Sequence, residues 1–281
     1  MTTATRTLTL GHSPDSDDAF MFYGLASGRV PTADLGYEHV LRDIQTLNEW
    51  AKAGKLDTTA ISVHAYAYVA DKYAILTHGA SMGEKDYGPM VVAKGPAEIA
   101  ALRGATIAVP GLMTSAYLAL RLCIGDFTPV VMPFDTIMEA VAEGRVEYGL
   151  LIHEGQLTHA ALGLHPIVNL GAWWHAETGL PLPLGVNTIR RDLPDTIKKK
   201  ASSQLRASIE YGLAHRAEAL AWAMQYARGL ATDTADTFVG MYVNRRTVDM
   251  GEDGKRSIRM FLERGVNAGI VPAVGEIDFV G

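Results

Sequence analysis

The residues best suited to chemistry stand where short apolar runs give way to polar groups. His153 is the sharpest case, in Glu147-Tyr-Gly-Leu-Leu-Ile-His-Glu154. A histidine at the exit of a buried strand faces a cleft, and its ordinary pKa near about 6.5 suits general acid–base work. A structural, hydrogen-bonded histidine is the competing reading. Adjacent strand residues point to opposite faces, which would turn Glu154 away from that cleft.

Three other strand ends carry polar groups. Pro110-Gly-Leu-Met-Thr-Ser-Ala116 follows a strand at 106–110 and puts Thr114 and Ser115 at a helix start. Free N–H groups, two hydroxyls and the positive end of the helix dipole there would hold a carboxylate or phosphate. An ordinary capped helix fits the same residues. At Ala60-Ile61-Ser62 a strand at 58–61 meets a helix containing Tyr66 and Tyr68. Backbone groups and the Ser62 hydroxyl could reach a ligand, or Ser62 could simply cap. Gly11-His-Ser-Pro-Asp-Ser-Asp-Asp18 joins a Thr-Leu strand to an apolar helix at 19–25. Ser13 or Asp15 could cap that helix with Pro14 in its first turn, and each aspartate, Asp17 included, either caps or meets a ligand. The loop lacks the sixth-position glycine and twelfth-position glutamate of a calcium loop.

Other chemistries fail on spacing. His153 and His159 are six residues apart, turned roughly 240° from one another on a helix, so they do not form a zinc-binding face. No Walker loop, dinucleotide glycine fingerprint or Gly-x-Ser-x-Gly elbow is present. Trp173 and Trp174 read as packing, Cys123 as inert core, and Lys198-Lys-Lys200 as a solvated helix surface.

The elements that must position these groups alternate through the first two-thirds of the chain. Val-, Ile-, Leu- and Thr-rich runs at 7–11, 58–61, 75–78, 89–93, 106–110, 130–133 and 147–152 predict strands. Between them lie helical periods, with Ile44, Leu47, Trp50 and Ala51 on one face at 43–54, and Ile137, Met138 and Val141 at 134–144. Such alternation implies right-handed crossovers and mixed, mostly parallel sheets of an α/β protein. Residues from about 195 to 269 read as nearly all helical. The Gly-Pro passages at 85–89 and 180–185 look like crossings between two lobes. They give a first lobe of 1–93 plus 183–281, an inserted lobe of 94–182, and a ligand cleft between.

A chain of 281 residues can bury a full core without staples. With 25 Lys plus Arg against 31 Asp plus Glu it carries a formal charge of −6, which disfavours nucleic acid and anionic membrane surfaces as partners. A lone cysteine excludes an internal disulfide and a multi-cysteine metal site. The amino terminus shows no apolar core of secretory length and no stretch would span a bilayer, so a cytoplasmic protein is expected.

Taken in order, several phrases make the chain resemble the 1,4-dihydroxy-6-naphthoate synthases of the futalosine route to menaquinone. They are Phe20-Met-Phe-Tyr-Gly-Leu-Ala-Ser-Gly-Arg-Val30, Asp43-Ile-Gln-Thr-Leu-Asn-Glu-Trp50, Gly88-Pro-Met-Val-Val-Ala-Lys-Gly95, Gly149-Leu-Leu-Ile-His-Glu154, Leu170-Gly-Ala-Trp-Trp174, Thr178-Gly-Leu-Pro-Leu-Pro-Leu-Gly185 and Tyr242-Val-Asn244. The resemblance implies a two-lobed fold similar to type 2 periplasmic binding proteins. It also implies a lyase without metal or organic cofactor that turns cyclic dehypoxanthine futalosine, a small carboxylated substrate, into the naphthoate. The family's general base falls on His153, its hydroxyl pair on Thr114 and Ser115, and its ligand-contacting strand end on Ala60, Ile61 and Ser62. Ser13 and Asp17 of the first loop are further substrate-binding candidates. That loop departs from the family's common Ser-Pro-Cys-Pro-Asn-Asp-Thr, reading Ser13-Pro-Asp-Ser-Asp-Asp-Ala19, and Ala60 stands where some members have lysine. Chorismate dehydratase of the same fold, and a solute-binding protein without chemistry, are the alternatives.

Overall fold

A computed structural model describes residues 6–32, 34–227 and 229–281. Its strands are β1 (Arg6–His12), β2 (Leu35–Leu41), β3 (Thr58–Ser62), β4 (Tyr73–Leu76), β5 (Ser81–Gly83), β6 (Met90–Ala93), β7 (Thr106–Val109), β8 (Thr128–Val131), β9 (Tyr148–Leu151), β10 (His165–Asn169), β11 (Leu182–Arg190) and β12 (Phe279–Val280). They form two sheets. One runs β12-β4-β11-β3-β1-β2 with β5 beside β11, and the other runs β10-β6-β9-β7-β8.

Alternation explains the middle of β1, where Leu8 and Leu10 are buried while Thr7 is exposed and Thr9 half-buried. The central strands β3 and β9 are buried at every position, as expected of strands covered on both faces. Helix Phe134–Ala142 closes down on β9 at Gly149. A Cβ there would lie 2.6 Å from Ile137 Cγ2 and 2.7 Å from Val141 Cγ2, so only glycine admits that approach.

β1 runs parallel to β2 and β3, and β7 parallel to β8 and β9, through crossover helices as the spacing predicts. β6, β10 and β11 run antiparallel to their neighbours, so antiparallel pairing has a larger share than the alternation alone suggested. β6, placed in the first lobe by the sequence boundary at 93, pairs with β9 and β10 in the five-stranded sheet. By sheet membership the chain therefore crosses before Met90, through the turn in which Glu84 and Tyr87 bond each other's backbone. Gly88 and Gly171 pack against each other at that turn, and Leu170 N–H donates to Pro89 O at 2.8 Å. β4 lies two residues earlier than predicted, which leaves Thr77 and His78 in a loop.

The last third is helical, with helices Asp195–Ala214, Arg216–Ala223, Thr232–Tyr242 and Gly251–Asn267. Phe238 and Tyr242 of helix Thr232–Tyr242 reach the space between the two sheets.

Candidate functional site

A cleft opens between the sheets, the place where small-molecule sites form in two-lobed folds. Its apolar walls include Ile44, Pro89, Ile152, Leu184, Val186 and Phe238. Its polar groups converge from the ends of β1, β3, β7 and β9, and none of the lining residues is a lysine or arginine.

The chain leaves β9 at Leu151 and turns sharply into the short helix Gly155–Thr158. His153 sits in that turn with φ 53°, the left-handed region, alone among the described non-glycine residues. Such a backbone costs free energy and persists where the surroundings hold it. Phe134 packs on the imidazole with ring centroids 4.7 Å apart. Its Nδ1 lies 3.2 Å from Asp15 Oδ2, while Nε2 is buried without a partner among the described residues. An Nδ1–H donating to that carboxylate leaves Nε2 with a lone pair.

Asp15 is the N-cap of helix Ser16–Met21, but its side chain makes no capping hydrogen bond. It serves His153 instead. Asp17 follows two residues on and leaves Oδ1 buried without a hydrogen-bond partner among the described residues. Burial, and then the charge of Asp15, push the Asp17 carboxyl well above the usual carboxylate range. Burial raises Asp18 too, opposed by the Ser13 N–H that donates to its Oδ2 at 2.7 Å. Glu154 is buried beside this group and accepts from Ser16 Oγ at 3.4 Å, but it does not line the cleft, as the strand geometry suggested. Ligand-capable atoms of Asp15, Asp17 and His153 lie within 4.8 Å of one another, close enough for a metal ion.

The opposite wall is the start of helix Ser115–Ile124. Thr114 caps it, accepting from Tyr117 N–H at 3.2 Å and donating to Gly111 O at 2.9 Å. Ser115 Oγ accepts from His64 N–H at 3.2 Å and donates to Leu184 O at 2.5 Å. Both hydroxyl protons are thus committed within the protein, which corrects the expectation of two O–H donors for a ligand. What the turn offers instead is the N–H groups of Ser115 and Ala116, without acceptors inside the helix.

At β3, Ala60 and Ser62 line the cleft, whereas Ile61 is fully buried in the hydrophobic core, so the expected contact through Ile61 is not made by its side chain. Period-two alternation is the reason. Ser62 is held by Asn48, whose Nδ2 donates to Ser62 Oγ at 3.1 Å and whose Oδ1 accepts from Ser62 N–H at 2.8 Å. Ser13 and Asp17 also line the cleft, so all the expected site residues except Ile61 converge.

Sequence reasoning did not single out Asn48, Gln156, Asn187 or Tyr242. Tyr242 donates to Gln156 Oε1 at 2.8 Å, and Asn187 Nδ2 donates to Gly79 O at 2.9 Å, leaving its Oδ1 unpartnered. A signal existed for Asn48: it is an amide on the face that Leu47 and Ala51 bury.

Two mixed sheets around a cleft define a periplasmic-binding-protein-like fold. The alkanesulfonate-binding protein of Xanthomonas axonopodis pv. citri, solved with MOPS bound, superposes with a TM-score of 0.71 over 96% of each chain at 13% identity, a likeness of fold alone. A protein of Archaeoglobus fulgidus solved by X-ray crystallography is 45% identical, with a TM-score of 0.89 over 94% of this chain and 98% of its own. The chain belongs to the menaquinone biosynthesis family, whose model matches residues 8–267. A 1,4-dihydroxy-6-naphtoate synthase of Thermus thermophilus is 44% identical over 91% of this chain and 93% of its own length. One from Streptomyces coelicolor is 38% identical over 96% of each. Among the described residues no helix is long and apolar enough to cross a membrane.

Proposed function

We propose that this protein is a carbon–carbon lyase that converts cyclic dehypoxanthine futalosine to 1,4-dihydroxy-6-naphthoate, with His153 as general base. A cytoplasmic setting belongs to the same proposal. The observation that carries the chemistry is the imidazole itself, anchored through Nδ1 by a buried carboxylate and lining the cleft with Nε2 unpartnered. That is the tautomer a base requires.

In a retro-aldol cleavage the base takes the proton of a substrate hydroxyl. The O–H electron pair becomes the C=O of the released fragment, and the pair of the broken C–C bond stays on the ring as an enolate. Return of the proton gives the aromatic product. Aromatisation supplies driving force, so the protein has to position groups and exclude water. The substrate's carboxylate is met without lysine or arginine, by the N–H groups and dipole at the start of helix Ser115–Ile124. Apolar walls and Phe238 fit a bicyclic body.

The test is to incubate the purified protein with the futalosine derivative and detect the naphthoate by mass. His153→Ala should lower kcat by at least about 100-fold, the lower end of what a positioned base contributes. Near-normal turnover in that variant overturns the base. Dehydration of chorismate, or ligand binding with no product, overturns the lyase.

A further inference from the structure

We propose that Asp15 and Asp17 form a hydrogen-bonded carboxyl pair that fixes His153 as its Nδ1–H tautomer, Asp15 being the ionised member and Asp17 the one that carries the proton. The kinetic part of this rests on the base role proposed above; the tautomer does not.

Two contacts converge on one conclusion. Asp15 is 1% exposed and its Oδ2 meets His153 Nδ1 at 3.2 Å, so it accepts there. Carboxyl oxygens of Asp15 and Asp17 also lie within 4.8 Å of one another, both residues buried, where two negative charges together are disfavoured and one proton between them relieves the repulsion. Asp15 is the member that faces the imidazole Nδ1, which favours the charged form there, so the proton is assigned to Asp17. Asp15 then accepts from both sides, which favours its ionised form.

The surroundings agree. The other titratable groups against the pair are Glu154, whose charge opposes a second carboxylate at Asp17, and Asp18, Tyr242 and His12. His12 is itself held neutral, its pKa lowered to about 3 by burial and by His39. A protonated Asp17 also leaves its other oxygen, Oδ1, as a neutral acceptor in the cleft, suited to a substrate hydroxyl. Asp15 and Asp17 are two of the positions where the first loop departs from the pattern of the family it resembles. Asp15 is accordingly a positioning residue: it acts through the imidazole.

The experiment reads the His153 ring by ¹⁵N NMR of the histidine side chains, assigned by difference from His153→Ala, alongside kcat and KM. The unsubstituted protein should show His153 protonated at Nδ1. Asp15→Asn presents an amide donor to Nδ1, should shift the proton to Nε2, and should lower kcat by at least about 100-fold with KM nearly unchanged. Asp17→Asn replaces an acid donor by an amide donor and should keep the tautomer, with kcat reduced by under about tenfold; Asp17→Leu should lose it. Asp15→Ser supplies the first comparison if the asparagine variant does not fold. Retention of the Nδ1–H form in Asp15→Asn, or equal damage from Asp17→Asn, overturns the pair. So does binding of zinc by the purified protein that depends on Asp17. An inert protein whose NMR follows this pattern leaves the pair standing and removes only the lyase.

Discussion

At the scale of single residues, the site concentrates strain and burial on His153. A left-handed backbone at a residue with a Cβ disfavours the fold by about 1 kcal/mol or more. His153→Gly should therefore be more stable than His153→Ala by about 1 kcal/mol in urea unfolding, while both are inactive as lyases. Equal midpoints would mean that the turn is not strained. The sequence carried the identity of this histidine because an imidazole directly after an apolar run is conspicuous. Its conformation was not legible, since β9 stops at Leu151 and the turn is set by how helix Gly155–Thr158 docks. Nor was the partner of its ring. Asp15 reads as a helix cap by type and position, and only the approach of β1 to β9 across the cleft turns its carboxylate to the imidazole.

At the scale of elements, the helix starts matter more than their hydroxyls suggest. Thr114→Val removes both the cap bond to Tyr117 N–H and the bond to Gly111 O. It should cost about 1 kcal/mol of stability and raise KM more than it lowers kcat, because the N–H groups that face the ligand lose their fixed position. An unchanged KM with reduced stability would confine Thr114 to capping. Asn48→Ala should act in the same direction on the other wall, since it frees the buried Ser62 N–H that Asn48 Oδ1 accepts; a rise in KM alongside lower stability checks it. Most elements were readable from their periodicity: strands at 7–11, 58–61 and 106–110, and the amphipathic helix at 43–54, stand close to where the pattern put them. Short edge strands were not. β2 has a single buried position at its start, and β5, β10 and β12 are held by pairing more than by composition. Pairing also decides that β6 belongs with β9, a long-range choice that no local pattern in Met90–Ala93 records.

At the scale of the whole molecule, buried acids and buried histidines pull stability in opposite directions as pH changes. Burial lowers His12 to about 3 and His64 to about 4, so between about 4 and 6.5 each binds a proton only when unfolded. Stability from these groups is complete above the unfolded value and declines as pH falls, by up to about 1.4 kcal/mol per pH unit per site. Asp17 and Asp18 are raised, so above the ordinary carboxylate pKa they hold protons in the fold that the unfolded chain has released. Their contribution is present at low pH and declines as pH rises through the folded values. The two pairs therefore offset each other in mildly acidic solution. Removing one member should expose the other. His12→Phe, which can stack on Phe22 as His12 does at 4.4 Å, should flatten the loss of stability between pH 6.5 and 4.5 relative to the parent. Asp17→Asn should steepen it. Urea midpoints measured at three pH values across that window give both slopes, and a parallel shift of either variant at all pH values would mean that the substituted group does not titrate differently in the fold.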